Sequence, residues 1–203
     1  MNKKILFALS FVVALIGFSG CSENVAEEEY ENWRPRNEHF IDSIASLARS
    51  GKDGWEMIKS YNLSDSLGKN GQNIYYIYVQ KLEKGTGETY PEYNDSIRMH
   101  YLGRLLPSKS YASGYLFDKS YSGTTLNEQT DVPALFGVNK LASGIATAVM
   151  NMVVNDRWKV VVPYYLGYGT SGDQKIPGYS ALIFDIKLAR IYKYKVDKNT
   201  TWW

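Results

Sequence analysis

Cysteine and histidine are scarce in this sequence. Cys21 is the only cysteine among 203 residues, so no disulfide can form within one chain. The two histidines, His39 and His100, lie far apart and have no cluster of cysteines or carboxylates beside them, so they match no zinc-binding pattern. Nothing near His100 resembles a nucleophile elbow, and the glycine-rich GYGTSG lacks the lysine of a phosphate loop. Metal, serine-hydrolase and nucleotide chemistry therefore have no support in the sequence.

An excess of one charge sign is also missing. The chain has 23 basic and 21 acidic residues and a net charge of +2. Both Lys3 and Lys4 lie in the first 20 residues, and without that segment the chain has 21 residues of each sign. Nucleic-acid-binding domains are usually strongly basic, so we expect no nucleic-acid partner.

The chain has no apolar run long enough for an ordinary membrane span. Its longest, Ile5–Phe18, follows Lys3 and Lys4 and precedes Ser19-Gly20-Cys21, which is typical of a secretory leader. The small residues before Cys21 resemble a bacterial lipobox, although Phe18 stands where leucine is commoner. That resemblance implies cleavage before Cys21 and acylation of its thiol. The alternative is a plain signal peptide followed by a free thiol.

Residues 22–36 are first acidic and then basic, without periodicity, and we interpret residues 21–36 as a flexible tether. The acidic run resembles the export signal of surface lipoproteins in Bacteroidota, and a solvated spacer is the alternative. A helical arm is predicted over 37–73. Its first helix has one apolar stripe and ends at Gly51, and the capping-box spacing of Asp53 and Glu56 predicts a second. The arm either dimerises or packs on its own sheet. We favour packing, because about 25 residues bury little alone.

Tyrosine and tryptophan are abundant, with 17 and 5 residues, which suits β-structure and aromatic-lined grooves. Strand patterns begin at Ile74 and recur up to the period-2 alternation of Leu182–Leu188. One short amphipathic helix is predicted from Ser143, late in the order of strands. This order predicts an α+β fold, with an antiparallel sheet and the helix on one face.

A long loop joins the last two predicted strands. It starts at Pro163, which ends the strand from Trp158, and it holds four glycines and several tyrosines before Leu182. Loops of this length on a rigid sheet are usually functional or disordered, and the aromatic content argues against disorder.

An ordered set of residues in the second half resembles the FKBP-type peptidyl-prolyl isomerases: Tyr101, Phe117-Asp118, Tyr168-Gly169, Ile176-Pro177 and Phe184. Each alone could be an ordinary core or turn residue, and only the set carries the resemblance. It implies an FKBP-like antiparallel β-sheet wrapped on one short α-helix over 74–192, with the N-terminal helical arm before it. Residues 193–203 are then a C-terminal tail, and no cofactor or metal is implied.

The resemblance also implies roles for individual residues. The catalytic group would be Phe117, Asp118 and Tyr168, and the substrate-binding group would be Tyr101, Leu141, Ala142, Ile145, Ile176 and Phe184. The barrier to isomerisation is resonance in the amide C–N bond. A site lowers it by binding the twisted amide in a dry pocket, and such a pocket needs aromatic walls and a few polar groups. Three positions depart from the family: Ile145 replaces the tryptophan of the pocket floor, Ala142 a larger aliphatic residue, and Ala134 an aromatic one.

Two functions from different classes follow. The first is a lipid-anchored peptidyl-prolyl cis-trans isomerase with weakened activity, acting on proline-containing polypeptides outside the cytoplasm. The second is a non-catalytic binding or chaperone lipoprotein with the same fold. Loss of the floor tryptophan favours the second, whereas the retained Phe117, Asp118 and Tyr168 favour the first. Fold alone does not decide between them, and we favour the isomerase.

Overall fold

The computed structural model describes residues 29–64 and 72–195. The chain divides into two units, 1–31 and 32–203, and the following description concerns the second. The predicted leader and Cys21 lie outside the described residues, as does the end of the predicted C-terminal tail. Among the residues described, no helix has the length and apolar character needed to cross a membrane.

Helix α1 spans Trp33–Ser50. It therefore begins four residues earlier than the sequence predicts, and the last part of the predicted tether is helical. Pro35 is compatible with this start, because the first turn of a helix has no intrahelical acceptor for its N–H groups. The helix ends at Gly51, whose positive φ of 64° closes it with hydrogen bonds to Ala48 and Leu47.

In the part of the chain that the structure describes, seven antiparallel strands form one sheet, and a shorter helix, α2, packs against it. The spatial order is β1-β2-β6-β7-β3-β4, with β5 pairing the first half of β3. In chain order the elements are β1 (Trp55–Lys59), β2 (Tyr76–Glu83), β3 (Ser96–Arg104), β4 (Leu116–Lys119), β5 (Ala134–Gly137), α2 (Ser143–Val149), β6 (Arg157–Val162) and β7 (Leu182–Tyr192). The predicted fold class, including the late helix from Ser143 and the alternation along β7, is confirmed.

The predicted second helix of the arm is wrong. Residues Trp55–Lys59 form the edge strand β1, which pairs with β2 from Trp55↔Gln80 to Lys59↔Tyr76. The capping-box spacing is a local signal, whereas the pairing with β2 supplies backbone hydrogen bonds that a five-residue helix cannot match. The described part of the predicted arm thus contains the rest of α1 and then a strand of the main sheet, rather than two helices.

The two helices cover opposite faces of the sheet. Helix α1 packs its stripe, with Ile41, Ile44 and Ala45, against a cluster that includes Tyr78 and Val161. Helix α2 lies on the other face, where Gly144 sits so close to β6 that a Cβ there would approach Val162 Cγ1 to 2.4 Å. The preference for packing on the chain's own sheet is therefore confirmed for α1.

Candidate active site

Two phenylalanines from different strands meet above β3. Gly103 pairs with Phe184 of β7 on one side and with Asp118 of β4 on the other. The ring centroids of Phe117 and Phe184 are 5.5 Å apart, at an interplanar angle of 82°. This edge-to-face arrangement is a favourable one for aromatic pairs, and both rings are almost fully buried.

Gly103 makes this arrangement possible. A Cβ at this position would lie 2.5 Å from Phe117 Cζ and 2.8 Å from Phe184 Cε1. Sequence reasoning did not single this residue out. The available signal was a glycine inside a strand pattern, which often marks a close approach of other groups to the backbone.

The carboxylate of Asp118 is held by two hydrogen bonds. The Tyr101 hydroxyl donates to Oδ2 at 2.7 Å, and the Lys119 backbone N–H donates to Oδ1 at 2.9 Å. Tyr101 is itself fixed, because its backbone N–H donates to Ser120 Oγ at 2.9 Å. Burial, and then the bond to Asp118, raise the pKa of Tyr101, so its hydroxyl keeps the proton that it donates.

The long loop between β6 and β7, hereafter the site loop (163–181), is internally bonded. Asp173 Oδ1 accepts hydrogen bonds from the N–H groups of Lys175 at 2.8 Å and Ile176 at 2.9 Å. Gly172 has a φ of 67°, and a Cβ on it would stand 2.0 Å from the Ile176 carbonyl oxygen. Asp173 was also missed at the sequence level, although aspartate commonly bonds the backbone two residues on. These bonds give the loop a defined conformation, in agreement with the prediction from its aromatic content that it is not disordered.

A cleft of about 500 Å³ opens between β4 and the tip of the site loop. Phe117 and Asp118 line one side, and Tyr168 and Ile176 line the other, together with Asp173, Gln174 and Lys175. Tyr168 is 44% exposed. Partial burial, followed by the nearby carboxylates of Asp173 and Asp118, raises the pKa of its hydroxyl, which therefore remains a neutral donor.

The predicted site residues fall into three groups around this cleft. Four line it directly, and Tyr101 and Phe184 stand behind that lining through their contacts with Asp118 and Phe117. Leu141, Ala142 and Ile145 are not part of the lining. Ala142 precedes the first turn of α2, and Ile145 is 5% exposed on that helix.

His100 lies on β3 next to Tyr101, and its side chain is almost fully buried. Its Nδ1 has no hydrogen-bond partner, and burial lowers the pKa of the imidazole. Within residues 29–64 and 72–195, no group of three or more histidine, cysteine or carboxylate side chains is arranged to hold a metal ion.

Comparison with known families gives one match that covers half of the chain. The sequence profile of the FKBP-type peptidyl-prolyl cis-trans isomerases matches residues 87–189. That range includes every predicted site residue from Tyr101 to Phe184.

Curated relatives give the same picture. The macrophage infectivity potentiator of Trypanosoma cruzi is 34% identical over 116 residues, covering 57% of this chain and 53% of that protein. The FKBP-type 22 kDa peptidyl-prolyl cis-trans isomerase of Escherichia coli (strain K12) is 32% identical over 131 residues, covering 64% and 57%. The chain thus spans little more than half the length of these two relatives.

Solved structures share the fold. The peptidyl-prolyl cis-trans isomerase of Pseudomonas syringae pv. tomato superposes with a TM-score of 0.54 at 21% identity, covering 78% of this chain and 96% of that one. FkpA from Escherichia coli gives a TM-score of 0.50 at 20% identity, covering 95% and 83%. At such identities the likeness concerns the fold alone.

Proposed function

The chain belongs to the FKBP-type peptidyl-prolyl cis-trans isomerase family, and on that premise we propose that it isomerises X–Pro bonds in polypeptide substrates. The observation that carries the proposal is the cleft that Phe117, Asp118 and Tyr168 line together, with the Asp118 carboxylate held by Tyr101. The barrier to rotation, about 18–20 kcal/mol, is resonance in the C–N bond. A site that binds the twisted amide better than the planar one lowers this barrier without a cofactor.

The side chains of the cleft have complementary roles in this proposal. Phe117, supported by Phe184, and Ile176 bind the prolyl ring and keep water away from the amide. Twisting localises the lone pair on nitrogen, so the carbonyl carbon becomes more positive. The carboxylate of Asp118, already oriented by Tyr101, stabilises that charge, because a preorganised group needs no rearrangement during the reaction. The Tyr168 hydroxyl donates to a substrate carbonyl.

Residues before and within α2 complete the proposed substrate site. Leu141 and Ala142 would contact the chain next to the proline, with the Ala142 backbone N–H as a donor to a second carbonyl. By the family resemblance Ile145 would form the floor, although it is not among the residues that line the cleft. An isoleucine offers less surface than an indole, and losing roughly 40–80 Å² of contact at about 25 cal/mol per Å² costs about 1–2 kcal/mol. We therefore propose weakened activity, lower by roughly 5- to 30-fold.

The proposed place of action is outside the cytoplasm, with a lipid anchor at Cys21. Support comes from the sequence, where Lys3, Lys4 and the apolar run Ile5–Phe18 precede the single cysteine. Several acyl chains attach a protein stably to a membrane, since each buried CH₂ contributes about 0.8 kcal/mol.

A protease-coupled prolyl isomerisation assay on the full chain, purified in detergent, tests the activity. We expect a rate above the uncatalysed one, and a loss of about tenfold or more in kcat/KM for Asp118→Ala. Tyr168→Phe should lose about three- to tenfold, the value of one hydrogen bond. Tyr165→Phe is the matched control, since Tyr165 is 51% exposed on the same loop and does not line the cleft.

The same assay separates the two functions considered. A folded wild-type chain that accelerates nothing, while still binding a proline-containing peptide, would replace the isomerase proposal by the non-catalytic binding module.

A further inference from the structure

The first turn of α1 is bonded to the C-terminal end of the site loop. The Trp33 indole N–H donates to Ser180 Oγ at 2.8 Å, and Asn37 Oδ1 accepts a hydrogen bond from the Ala181 backbone N–H at 2.8 Å. These contacts join residues more than 140 positions apart in the chain. They connect a helix outside the family-matched range to the loop that forms one wall of the cleft.

Both bonds lie in a dry environment. Asn37 is 1% exposed and Ser180 is 2% exposed. The amide of Asn37 uses its other end as well, because Nδ2 donates to the Trp33 carbonyl oxygen at 2.7 Å. A buried polar group that loses its partner bears the full cost of desolvation, so these bonds hold their geometry more firmly than surface bonds would.

A third contact from α1 holds Tyr179, the loop residue just before Ser180 and Ala181. The Arg34 guanidinium lies 4.5 Å from the centre of the Tyr179 ring, which packs on Tyr164 at 5.1 Å. Tyr179 has a φ of 63°, an uncommon value for a residue with a side chain, and its N–H donates to the Gly169 carbonyl oxygen. Such a conformation persists when neighbouring contacts determine it.

The path from α1 to the cleft is short. Ser180 Oγ donates in turn to the Pro177 carbonyl oxygen at 2.6 Å, and Pro177 directly follows Ile176, which lines the cleft. The Tyr179–Gly169 bond reaches the residue after Tyr168. Tyr168 and Ile176 are therefore each one residue away from a position that is hydrogen-bonded to α1 or to its partners.

We propose that Trp33 and Asn37 are positioning residues for the isomerase site, which makes α1 part of the working site as well as of the core. This inference rests on the proposed function. Trp33 and Asn37 fix the loop from behind, and the loop in turn places Tyr168 and Ile176 against Phe117 and Asp118. A displacement of about 1 Å in a binding group lowers a rate markedly even when the cause is remote.

The test uses Trp33→Phe and Asn37→Ala in the full chain. Trp33→Phe keeps an aromatic ring but removes the donor to Ser180, and Asn37→Ala removes the acceptor of Ala181. We expect kcat/KM to fall about three- to tenfold for Trp33→Phe, in line with one lost hydrogen bond. The loss should be at least as large for Asn37→Ala, which also removes the bond to the Trp33 carbonyl oxygen. Backbone amide exchange at Tyr179 and Ala181 should become faster.

Two further measurements separate positioning from general destabilisation. Ile44→Val on the same helix is the control, because Ile44 belongs to the apolar cluster under α1 and neither of the two hydrogen bonds to the loop involves it. It should lower the melting temperature and leave kcat/KM within about twofold. In a double-mutant cycle, Trp33→Phe should add little to Ser180→Ala, because Ser180→Ala already removes the bond from Trp33, together with the bond from Ser180 to Pro177.

Unchanged kcat/KM in Trp33→Phe and Asn37→Ala would overturn the proposal, and so would an equal loss in Ile44→Val. A wild-type chain without isomerase activity would overturn the proposed function separately. The exchange measurement then still decides whether α1 holds the loop. Faster exchange of the Ala181 amide in Asn37→Ala, but not in Ile44→Val, supports this role of α1, and unchanged exchange in Asn37→Ala refutes it.

Discussion

Replacing Gly103 by alanine sets two effects of opposite sign against each other. Gly→Ala reduces the freedom of the unfolded chain, which stabilises a protein by about 0.4–1 kcal/mol where the new methyl group fits. The methyl group does not fit here, because three ring atoms of Phe117 and Phe184 would lie between 2.5 and 2.8 Å from it. The rings are almost fully buried, so moving them aside would disturb their packing and the wall of the cleft.

We expect the clash to exceed the entropy gain. Overpacking of a buried site costs about 1–3 kcal/mol, which leaves a net loss of roughly 0.5–2 kcal/mol. For a chain of this size each kcal/mol lowers the melting temperature by about 2–4 °C. Because Phe117 forms the proposed wall for the prolyl ring, kcat/KM should fall by about tenfold well below the melting temperature.

Thermal unfolding measures the loss of stability, and the protease-coupled assay measures the loss of kcat/KM. Gly137→Ala is the matched control, since Gly137 ends strand β5 with an ordinary φ of −75° and its nearest neighbour is the flexible Asn139 side chain at 3.1 Å. A Gly103→Ala protein that is as stable and as active as wild type would refute the reasoning that this glycine is needed for the aromatic pair.

Four other changes test separate parts of the description. Tyr101→Phe should lower kcat/KM about three- to tenfold in the same assay, by freeing the Asp118 carboxylate; no change would show that this bond is dispensable. Ile145→Trp should raise kcat/KM by roughly 5- to 30-fold if calorimetry shows the fold intact, and an intact but unimproved variant would contradict the floor role. Cys21→Ala should release the protein from membranes or stall its processing; retention after a high-salt wash, measured by fractionation, would refute the anchor. Burial holds the pKa of His100 below 6.5, so the folded state binds fewer protons there, and the stability this gives above pH 6.5 is lost as pH falls. The melting temperature of His100→Gln should therefore drop less than that of wild type between about pH 7 and pH 5, and an equal drop would assign the loss to other groups.

The sequence predicts those parts of the fold in which periodicity and burial agree. Leu182–Leu188 alternates because one face of β7 is buried, and the stripe with Ile41 and Ile44 is helical because α1 lies on the sheet. Trp55–Lys59 was assigned wrongly because its structure depends on pairing with β2, about twenty residues further along the chain. Local spacing carries no information about such a partner.

The candidate site divides in a similar way. Phe117, Asp118 and Tyr168 are predicted from a family pattern that can be recognised in the sequence alone. Gly103 does not, because its importance lies in the rings that two other strands bring over it. The same holds for Asn37, whose partner amide is 144 residues away. A short-range signal for its burial is absent, since asparagine on a helix is usually exposed.

The position of β1 and β2 in the sheet has a consequence for how this chain can be divided. Both strands precede the family-matched range of 87–189, yet β2 pairs with β6 near the middle of the sheet. Cutting the chain at residue 87 would therefore strip β6 of a neighbour and leave its backbone N–H and C=O groups unpaired along an apolar edge, a surface that invites intermolecular pairing. The range 87–189 is what the family profile matches, but the compact unit of the structure begins at Asn32, just before α1. We therefore expect that grafting the proposed site onto another protein would require carrying the first helix and both strands with it.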